Sequence, residues 1–182
     1  AGGYWYWKNL RGIWPVINPV PQDIAKAIND TGNPFSLPPG FSISIFAKDL
    51  GKVRVLVQDP QGTLLASVPA EGRVLAFSDR NHDGKADETH VVVEGLKGPH
   101  GLAFDGEGKL YIAEEHEVAT FDYDPGRFIA SHKQKIADLP RGGRHTTRTL
   151  IFLSDNKLLV SIGSSCNVCH EEDSRRAAIL VM

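Results

Sequence analysis

The stretch that decides the fold is GGRHTTRTLIFLSDNKLLVSIGSSCNVCH, residues 142–170. Its middle part, SDNKLLVSIGSS, is a polar turn followed by a short apolar strand, and the same phrase occurs twice earlier in the chain. The earlier copies are DPQGTLLASVPAEGRVLAFSD from Asp59 and DGEGKLYIAEEHEVATFDYD from Asp105. These two copies continue into a second strand. The chain is therefore built from a repeated β unit.

The repeat has the period of a β-propeller blade. Leu64, Leu110 and Leu158 occupy the same place in the three copies and are 46 and 48 residues apart. Further strand candidates, THVVVEGL, GPHGLAF, HKQKIADL and RTLIFL, lie between the copies. About four strands in a unit of 40 to 50 residues is typical of a propeller. We predict an all-β propeller with about three blades in this chain, and a β-sandwich is the alternative.

The composition and net charge of the chain do not point to a particular class of binding partner. The chain has 182 residues, 41% hydrophobic content and a net charge of −2. These values are ordinary for a globular protein and do not indicate nucleic acid as a partner. Its two cysteines are too few for a scaffold built from disulfides.

We expect an N-terminal arm over residues 1–35 and the partial propeller over residues 36–182. The arm is rich in proline, and the period-two pattern FSISIF, residues 41–46, predicts the first half-buried strand after it. An aromatic cluster beside Lys8 and Arg11 is typical of a membrane interface, and consists of Tyr4, Trp5, Tyr6, Trp7 and Trp14. We therefore expect a periplasmic or exported protein. Either a segment before Ala1 anchors it to a membrane, or the aromatic residues pack on the domain as a tail. Because the chain has no initial Met and stops inside AAILVM, we expect a fragment.

His145 is the first candidate for chemistry. It follows two glycines in RGGRHTTRTL, in a loop just before a strand. An imidazole titrates near neutral pH and can accept a proton from a substrate hydroxyl. Arg144 and Arg148, with Arg141, would make the loop suited to an anionic substrate or cofactor. The alternatives are a loop histidine bonded to backbone and solvated arginines.

His100 and Glu115 are further candidates for the same cavity. His100 precedes a strand in KGPHGLAF, 45 residues before His145, so the two histidines occupy equivalent places in successive blades. Glu115, with Glu114 and His116, follows the strand KLYIA as Cys166 follows KLLVSIG. These positions would bring the side chains to one end of the propeller.

The loop DRNHDGKADE, residues 79–88, resembles the start of a calcium loop. Asp79, Asn81, Asp83 and Asp87 stand at the oxygen positions, with Gly84 at the turn. His90 replaces the usual last ligand, and strands rather than helices flank the loop. The loop is either a degenerate structural calcium site or a plain Asp/Gly turn.

Cys166 and Cys169 form a CxxCH motif with His170. The motif matches covalent haem attachment, but such sites normally lie in small helical domains, and this one follows a β-strand. Covalent haem c is therefore not expected. A disulfide that shapes the cavity mouth, free thiols and a metal site remain open.

Several phrases resemble one enzyme family. PPGFSISIFAKDL, VEGLKGPHGLAF, GGRHTTRTLIF and above all LLVSIGSSCNVC are similar to the sorbosone dehydrogenase-like branch of the soluble glucose and aldose dehydrogenases. The resemblance covers residues 36–182, the N-terminal half of such a protein. It implies a six-bladed, usually exported propeller that uses pyrroloquinoline quinone (PQQ) with calcium to oxidise a sugar or related aldose.

The same resemblance implies a role for His145 as the general base that takes the substrate hydroxyl proton while hydride passes to PQQ. In the glucose enzymes an acidic residue precedes this histidine, whereas Arg144 stands there in this chain, and His100 stands near the place of a substrate-facing glutamine. Glucose itself is therefore not expected as the substrate. The resemblance implies that most of the residues that hold PQQ and calcium follow Met182, so we expect the fragment alone to be inactive. The partners implied are a sugar and an electron acceptor. A lactonase-like metal propeller and a non-catalytic binding propeller are the alternatives.

Overall fold

The computed structural model describes residues 28–182, which divide into two compact units, residues 28–46 and residues 47–182. In the first unit, β1 (Ile28–Asn29) pairs in parallel with β2 (Ser42–Ile43). The strand predicted over residues 41–46 is thus only two residues long. The aromatic cluster of the arm lies outside the described residues, and the arm over residues 1–35 stays a prediction.

The second unit consists of three antiparallel sheets that follow each other along the chain. The first sheet, blade 1, contains β3 (Leu56–Gln58), β4 (Leu64–Val68), β5 (Arg73–Ser78) and β6 (Glu88–Val93). A 3₁₀ turn, Pro69–Glu71, joins β4 to β5. Within the sheet each strand pairs with the next one along the chain.

The other two sheets repeat this order. Blade 2 contains β7 (Gly101–Phe104), β8 (Leu110–Ala113), β9 (Glu117–Asp124) and β10 (Ile129–Asp138). Blade 3 contains β11 (Leu150–Phe152), β12 (Leu158–Ile162) and β13 (Ala178–Val181). The three leucines of the sequence repeat are the first residues of β4, β8 and β12, the second strand of each blade. The prediction of an all-β partial propeller is confirmed.

The blades are held together by two apolar cores. Leu65 and Val74 of blade 1 pack with Leu110 and Ile112 of blade 2 in the first core. The second core joins the opposite face of blade 2 to blade 3, and includes Ala113, Val118, Leu150 and Val160. Since blade 2 is covered on both faces, its strands are apolar at successive positions, as in GLAF and LYIA, and do not alternate.

The up-and-down order of the strands brings five loops to one end of the blades. They are the connections between blades, residues 94–100 and 139–149, and the connections between second and third strands, residues 69–72, 114–116 and 163–177. We call this end the site edge. Within residues 28–182, no helix has the length and apolar character needed to span a bilayer.

Candidate functional site

The loops of the site edge are tied to one another through their backbones. Glu115 N–H donates to the carbonyl of Lys97 at 3.1 Å, which joins the loop inside blade 2 to the loop that precedes it. Arg144 N–H donates to the carbonyl of Ser165 at 2.9 Å, which joins the connection between blades 2 and 3 to the loop inside blade 3. Leu139 N–H donates to the carbonyl of His116 at 2.8 Å and joins these two pairs of loops, and Leu96 N–H donates to the carbonyl of Gly72 at 2.9 Å. The five loops therefore form one hydrogen-bonded surface.

Arg148 is the central anchor of this surface. Its side chain is fully buried, and its guanidinium donates to four backbone carbonyls at 3.0 to 3.2 Å, those of His145, Thr147, Glu115 and Pro140. Burial lowers the pKa of this guanidinium, and the nearby charge of Arg176 lowers it further. The prediction that Arg148 lines the cavity is therefore corrected: both terminal nitrogens of its guanidinium are bonded to backbone carbonyls and the side chain is buried, so it supports the loops from beneath and does not face a ligand.

His100 is held against the same anchor. Its Nδ1 lies 2.8 Å from the carbonyl oxygen of Arg148. A carbonyl can only accept, so Nδ1 carries the proton and the lone pair is on Nε2. The next residue, Gly101, has no room for a side chain, since a Cβ there would lie 2.7 Å from the Arg148 carbonyl oxygen. His100 is thus half-buried, fixed in one tautomer, and located on the site edge.

His145 lies on the exposed side of the loop that Arg148 supports. Its Nε2 is 3.0 Å from Oδ1 of Asn167, which belongs to the loop inside blade 3. The two loops touch closely, because a Cβ on Gly163 would lie 2.6 Å from the His145 carbonyl oxygen, and a Cβ on Gly143 would lie 2.8 Å from Cα of Ser165. The glycines beside the histidine and in SIGSSC therefore permit this contact.

A disulfide closes the loop that carries Asn167. Cys166 and Cys169 are joined, with Asn167 and Val168 between them. The Ser164 hydroxyl donates to the carbonyl of Cys166 at 2.6 Å and fixes the start of the ring. With both sulfurs bonded to each other, neither is available for a thioether to haem.

Glu114 and Glu115 play different parts, although they are neighbours. Glu114 is buried, accepts from Lys97 N–H at 2.5 Å and forms an ion pair with Lys133. Lys133 also lies 2.8 Å from Glu117. Burial lowers the pKa of Lys133, but the two carboxylates outweigh burial and the net shift is upward. Glu114 is thus part of a structural ion cluster, while Glu115 is half-buried on the site edge.

Arg141 and Arg144 are the free cations beside His145. Both side chains are exposed, and within residues 28–182 neither guanidinium has a hydrogen bond or an ion pair. They differ in this from Arg148. A ligand with carboxylate groups could engage them without breaking a hydrogen bond or an ion pair of the described residues.

A cavity of about 630 Å³ lies next to these loops. It is bounded by Leu139, Pro140 and the disulfide, and Arg141 and Arg176 contribute to its wall. His145 is not among its lining residues. We therefore assign no substrate to this cavity.

The Asp79 loop lies at the opposite end of the blades, between β5 and β6. Oδ1 and Oδ2 of Asp79 accept from the N–H groups of Asp83 and Gly84, and Oδ2 of Asp87 accepts from Arg80 N–H. Within the described part of the chain, no three His, Cys, Asp or Glu side chains are grouped to hold a metal. The calcium site at Asp79, Asn81, Asp83 and Asp87 stays a prediction.

The structure brings His100, Glu115, Arg144 and His145 to one edge, and it leaves the Asp79 loop away from them. The sequence did not single out Asn167, which touches His145. The CxxCH motif indicates chemistry of the two sulfur atoms and gives no role to the residues between them. A contact between residues 22 positions apart also depends on how both loops fold.

Solved structures with the same fold include two sugar-oxidising enzymes and a carbohydrate-active enzyme. The PQQ domain of pyranose dehydrogenase from Coprinopsis cinerea is 23% identical with a TM-score of 0.72, and the match covers 85% of this chain and 40% of that one. A Trichoderma reesei carbohydrate-active enzyme of family AA12 is 24% identical with a TM-score of 0.60, covering 67% and 32%. The PQQ-bound aldose sugar dehydrogenase from Streptomyces coelicolor is 18% identical with a TM-score of 0.60, covering 77% and 47%.

These likenesses establish the fold. The chain spans less than half the length of each of these three structures. No curated protein matches the sequence. A family model described as TrAA12-like matches residues 35–180, which is most of the chain. This protein therefore belongs to the TrAA12-like family.

Proposed function

We propose that the protein is a PQQ-dependent oxidoreductase that oxidises a hydroxyl of a sugar or related aldose, within the sorbosone dehydrogenase-like branch. The observation that carries the proposal is His145. Its imidazole is exposed on the site edge, on a loop that the buried Arg148 holds through backbone carbonyls. Membership of the TrAA12-like family and likeness to PQQ-binding dehydrogenases support the choice of chemistry.

His145 is the general base of the proposed reaction. Oxidation of a carbinol removes a proton from oxygen and a hydride from carbon, so a group that takes the proton is needed. A neutral imidazole on a rigid loop is suited to this role, because it combines proton affinity near neutral pH with a fixed position. Bound PQQ would supply the two-electron acceptor for the hydride.

Arg141 and Arg144 would hold the carboxylates of the cofactor. Their unpaired guanidinium groups lie on the same loop as His145, and each can donate two parallel hydrogen bonds to a carboxylate. His100 and Glu115 would contact sugar hydroxyls, since the lone pair of His100 Nε2 and the carboxylate of Glu115 are acceptors on the site edge. Calcium would accompany PQQ by resemblance.

An exported location fits the proposed enzyme. The disulfide between Cys166 and Cys169 is stable in oxidising compartments such as the bacterial periplasm. We therefore retain the periplasmic or exported location as part of the proposal.

The test is dye reduction by the protein at its full natural length, supplied with PQQ and calcium and a panel of pyranoses and other aldoses. We expect PQQ-dependent turnover, and His145→Asn should lower kcat by about 100-fold or more, because a general base contributes about 10²- to 10⁴-fold. His132→Asn is the matched control. His132 is exposed on β10, and its positive φ of 52° suits asparagine.

Two results would contradict the proposal. Absence of turnover with every sugar would remove the enzymatic function. A fully active His145→Asn protein would leave the function standing but remove His145 as its base.

A further inference from the structure

The hydrogen bond between His145 and Asn167 indicates which nitrogen of the His145 imidazole carries the proton. Nε2 of His145 faces Oδ1 of Asn167 at 3.0 Å. An amide oxygen can only accept a hydrogen bond, so Nε2 is the nitrogen that carries the proton. The lone pair of the neutral imidazole is then on Nδ1.

We propose that Asn167 is the positioning residue of His145: it holds Nε2–H and thereby presents the Nδ1 lone pair to the substrate hydroxyl. The inference rests on the proposed function, in which His145 is the base. Asn167 acts through the imidazole and needs no contact with the substrate.

The surroundings of Asn167 hold its side chain in position for the hydrogen bond to His145. The residue lies in a ring closed by the Cys166–Cys169 disulfide, which limits the conformations of its backbone. The ring is anchored at its start by the bond from the Ser164 hydroxyl to Cys166. On the other side, Arg144 N–H bonds to Ser165 and brings the histidine loop against the ring.

Close packing removes the remaining freedom between the two loops. Gly163 lies against the backbone of His145, and no space for a methyl group is left between them. Beneath the histidine, Arg148 holds the carbonyls of His145 and Thr147. Both partners of the hydrogen bond are therefore fixed by their backbones, although their side chains are exposed.

Asn167 and its neighbour Val168 offer a matched pair of positions. Both lie inside the disulfide ring, but the Val168 side chain is 94% exposed. Asn167→Ala removes the acceptor, and Asn167→Asp keeps an oxygen acceptor of the same reach. Val168→Ala changes the ring without touching the histidine.

The first measurement is the imidazole Nε2–H proton of His145 in ¹⁵N-correlated NMR spectra of the full-length protein, assigned with His145→Gln. We expect this proton to be visible in the wild type, in Asn167→Asp and in Val168→Ala, because a hydrogen bond slows its exchange with water. In Asn167→Ala we expect the signal to be lost. A signal that persists in Asn167→Ala, or a wild-type ring protonated on Nδ1 alone, would overturn the inference.

The second measurement is steady-state kinetics of the full-length protein with PQQ. Asn167→Ala should lower kcat about tenfold, roughly the value of one hydrogen bond, and leave KM within about twofold. Asn167→Asp should restore most of the loss. An unchanged kcat in Asn167→Ala would remove the positioning role and leave the proposed function intact, whereas failure of the wild type to oxidise any sugar would remove the proposed function. The NMR result would then still decide whether the contact exists.

Discussion

At the scale of single residues, Arg148 shows how a charge can be buried against the backbone. Its guanidinium is surrounded by carbonyl oxygens of three chain segments, those of Glu115, Pro140 and the His145–Thr147 turn. A guanidinium has five N–H donors in a fixed plane, which suits several acceptors at once. The loops of the site edge are therefore held from beneath by buried hydrogen bonds to Arg148, where apolar packing would otherwise be expected.

Replacing Arg148 by methionine should destabilise the protein strongly. Arg148→Met keeps the length of the side chain but leaves the four carbonyls without their donor, and an unpaired buried polar group costs about 1–3 kcal/mol. We expect the free energy of unfolding in urea, followed by far-UV circular dichroism, to fall by about 3 kcal/mol or more. Arg144→Met, on the exposed side of the same loop, should change it by less than about 0.5 kcal/mol.

Equal effects of the two substitutions would contradict this account of Arg148. The case also shows a limit of sequence reasoning about individual side chains. Arginines at positions 144 and 148 look alike in RGGRHTTRTL, and only the folded backbone shows that carbonyl oxygens converge on one of them. His100 and His145 each precede the first strand of a blade, a position that the repeat itself defines.

At the scale of elements, the site depends on two loops that pack without side chains between them. Gly143 and Gly163 lie where these loops cross, and each leaves less than 3 Å between its missing Cβ and a backbone atom of the other loop. The histidine loop and the disulfide ring therefore behave as one element. Any side chain at the crossing must separate them.

Gly163→Ala should separate the loops and disturb the candidate base. The added Cβ would meet the carbonyl oxygen of His145 at 2.6 Å, and overpacking of this kind costs about 1–3 kcal/mol. We expect lower stability in urea and loss of the His145 Nε2–H signal in the NMR spectrum. Gly106→Ala is the control, because a Cβ there has nothing within 4 Å. A Gly163→Ala protein that matches the Gly106→Ala protein in both measurements would refute the tight crossing.

The elements themselves could largely be predicted from the repeat. The positions of β4, β8 and β12 follow from the spacing of Leu64, Leu110 and Leu158, since each begins at one of these residues. The strand expected over residues 41–46 is longer than β2 in the structure. Alternation of apolar and polar residues indicates a propensity for extended structure, but it does not show that a neighbouring strand is present to pair with. The loops between strands have no such period, so their crossing at Gly163 was not foreseen.

At the scale of the whole molecule, the blades differ in how their faces are covered. Blade 2 is packed on both faces, whereas blade 3 exposes Ile151, Ile179 and Val181 on one of its faces. The stability of the described part should therefore come mainly from the two cores between the blades.

Two matched substitutions test whether the stability comes mainly from the cores between the blades. Ile112→Ala removes a side chain that is 0% exposed in the core between blades 1 and 2, and should cost about 2–5 kcal/mol in urea denaturation. Ile151→Ala removes one that is 58% exposed and should cost less than about 1 kcal/mol. A large loss for Ile151→Ala would show that the open face of blade 3 is covered in solution.

The anchor at Arg148 has a consequence for the order of folding. Its bonds to Glu115 and to His100 join residues 33 and 48 positions apart, whereas each hairpin within a blade joins neighbours along the chain. Loops of this length close more slowly than hairpins, and their entropy cost is met only when the strands on both sides are already paired. As a nascent chain emerges, blades 1 and 2 can therefore collapse before the candidate site is assembled. The imidazole of His145 would take its place only when the first strand of blade 3 docks, which makes assembly of the site a late and cooperative event.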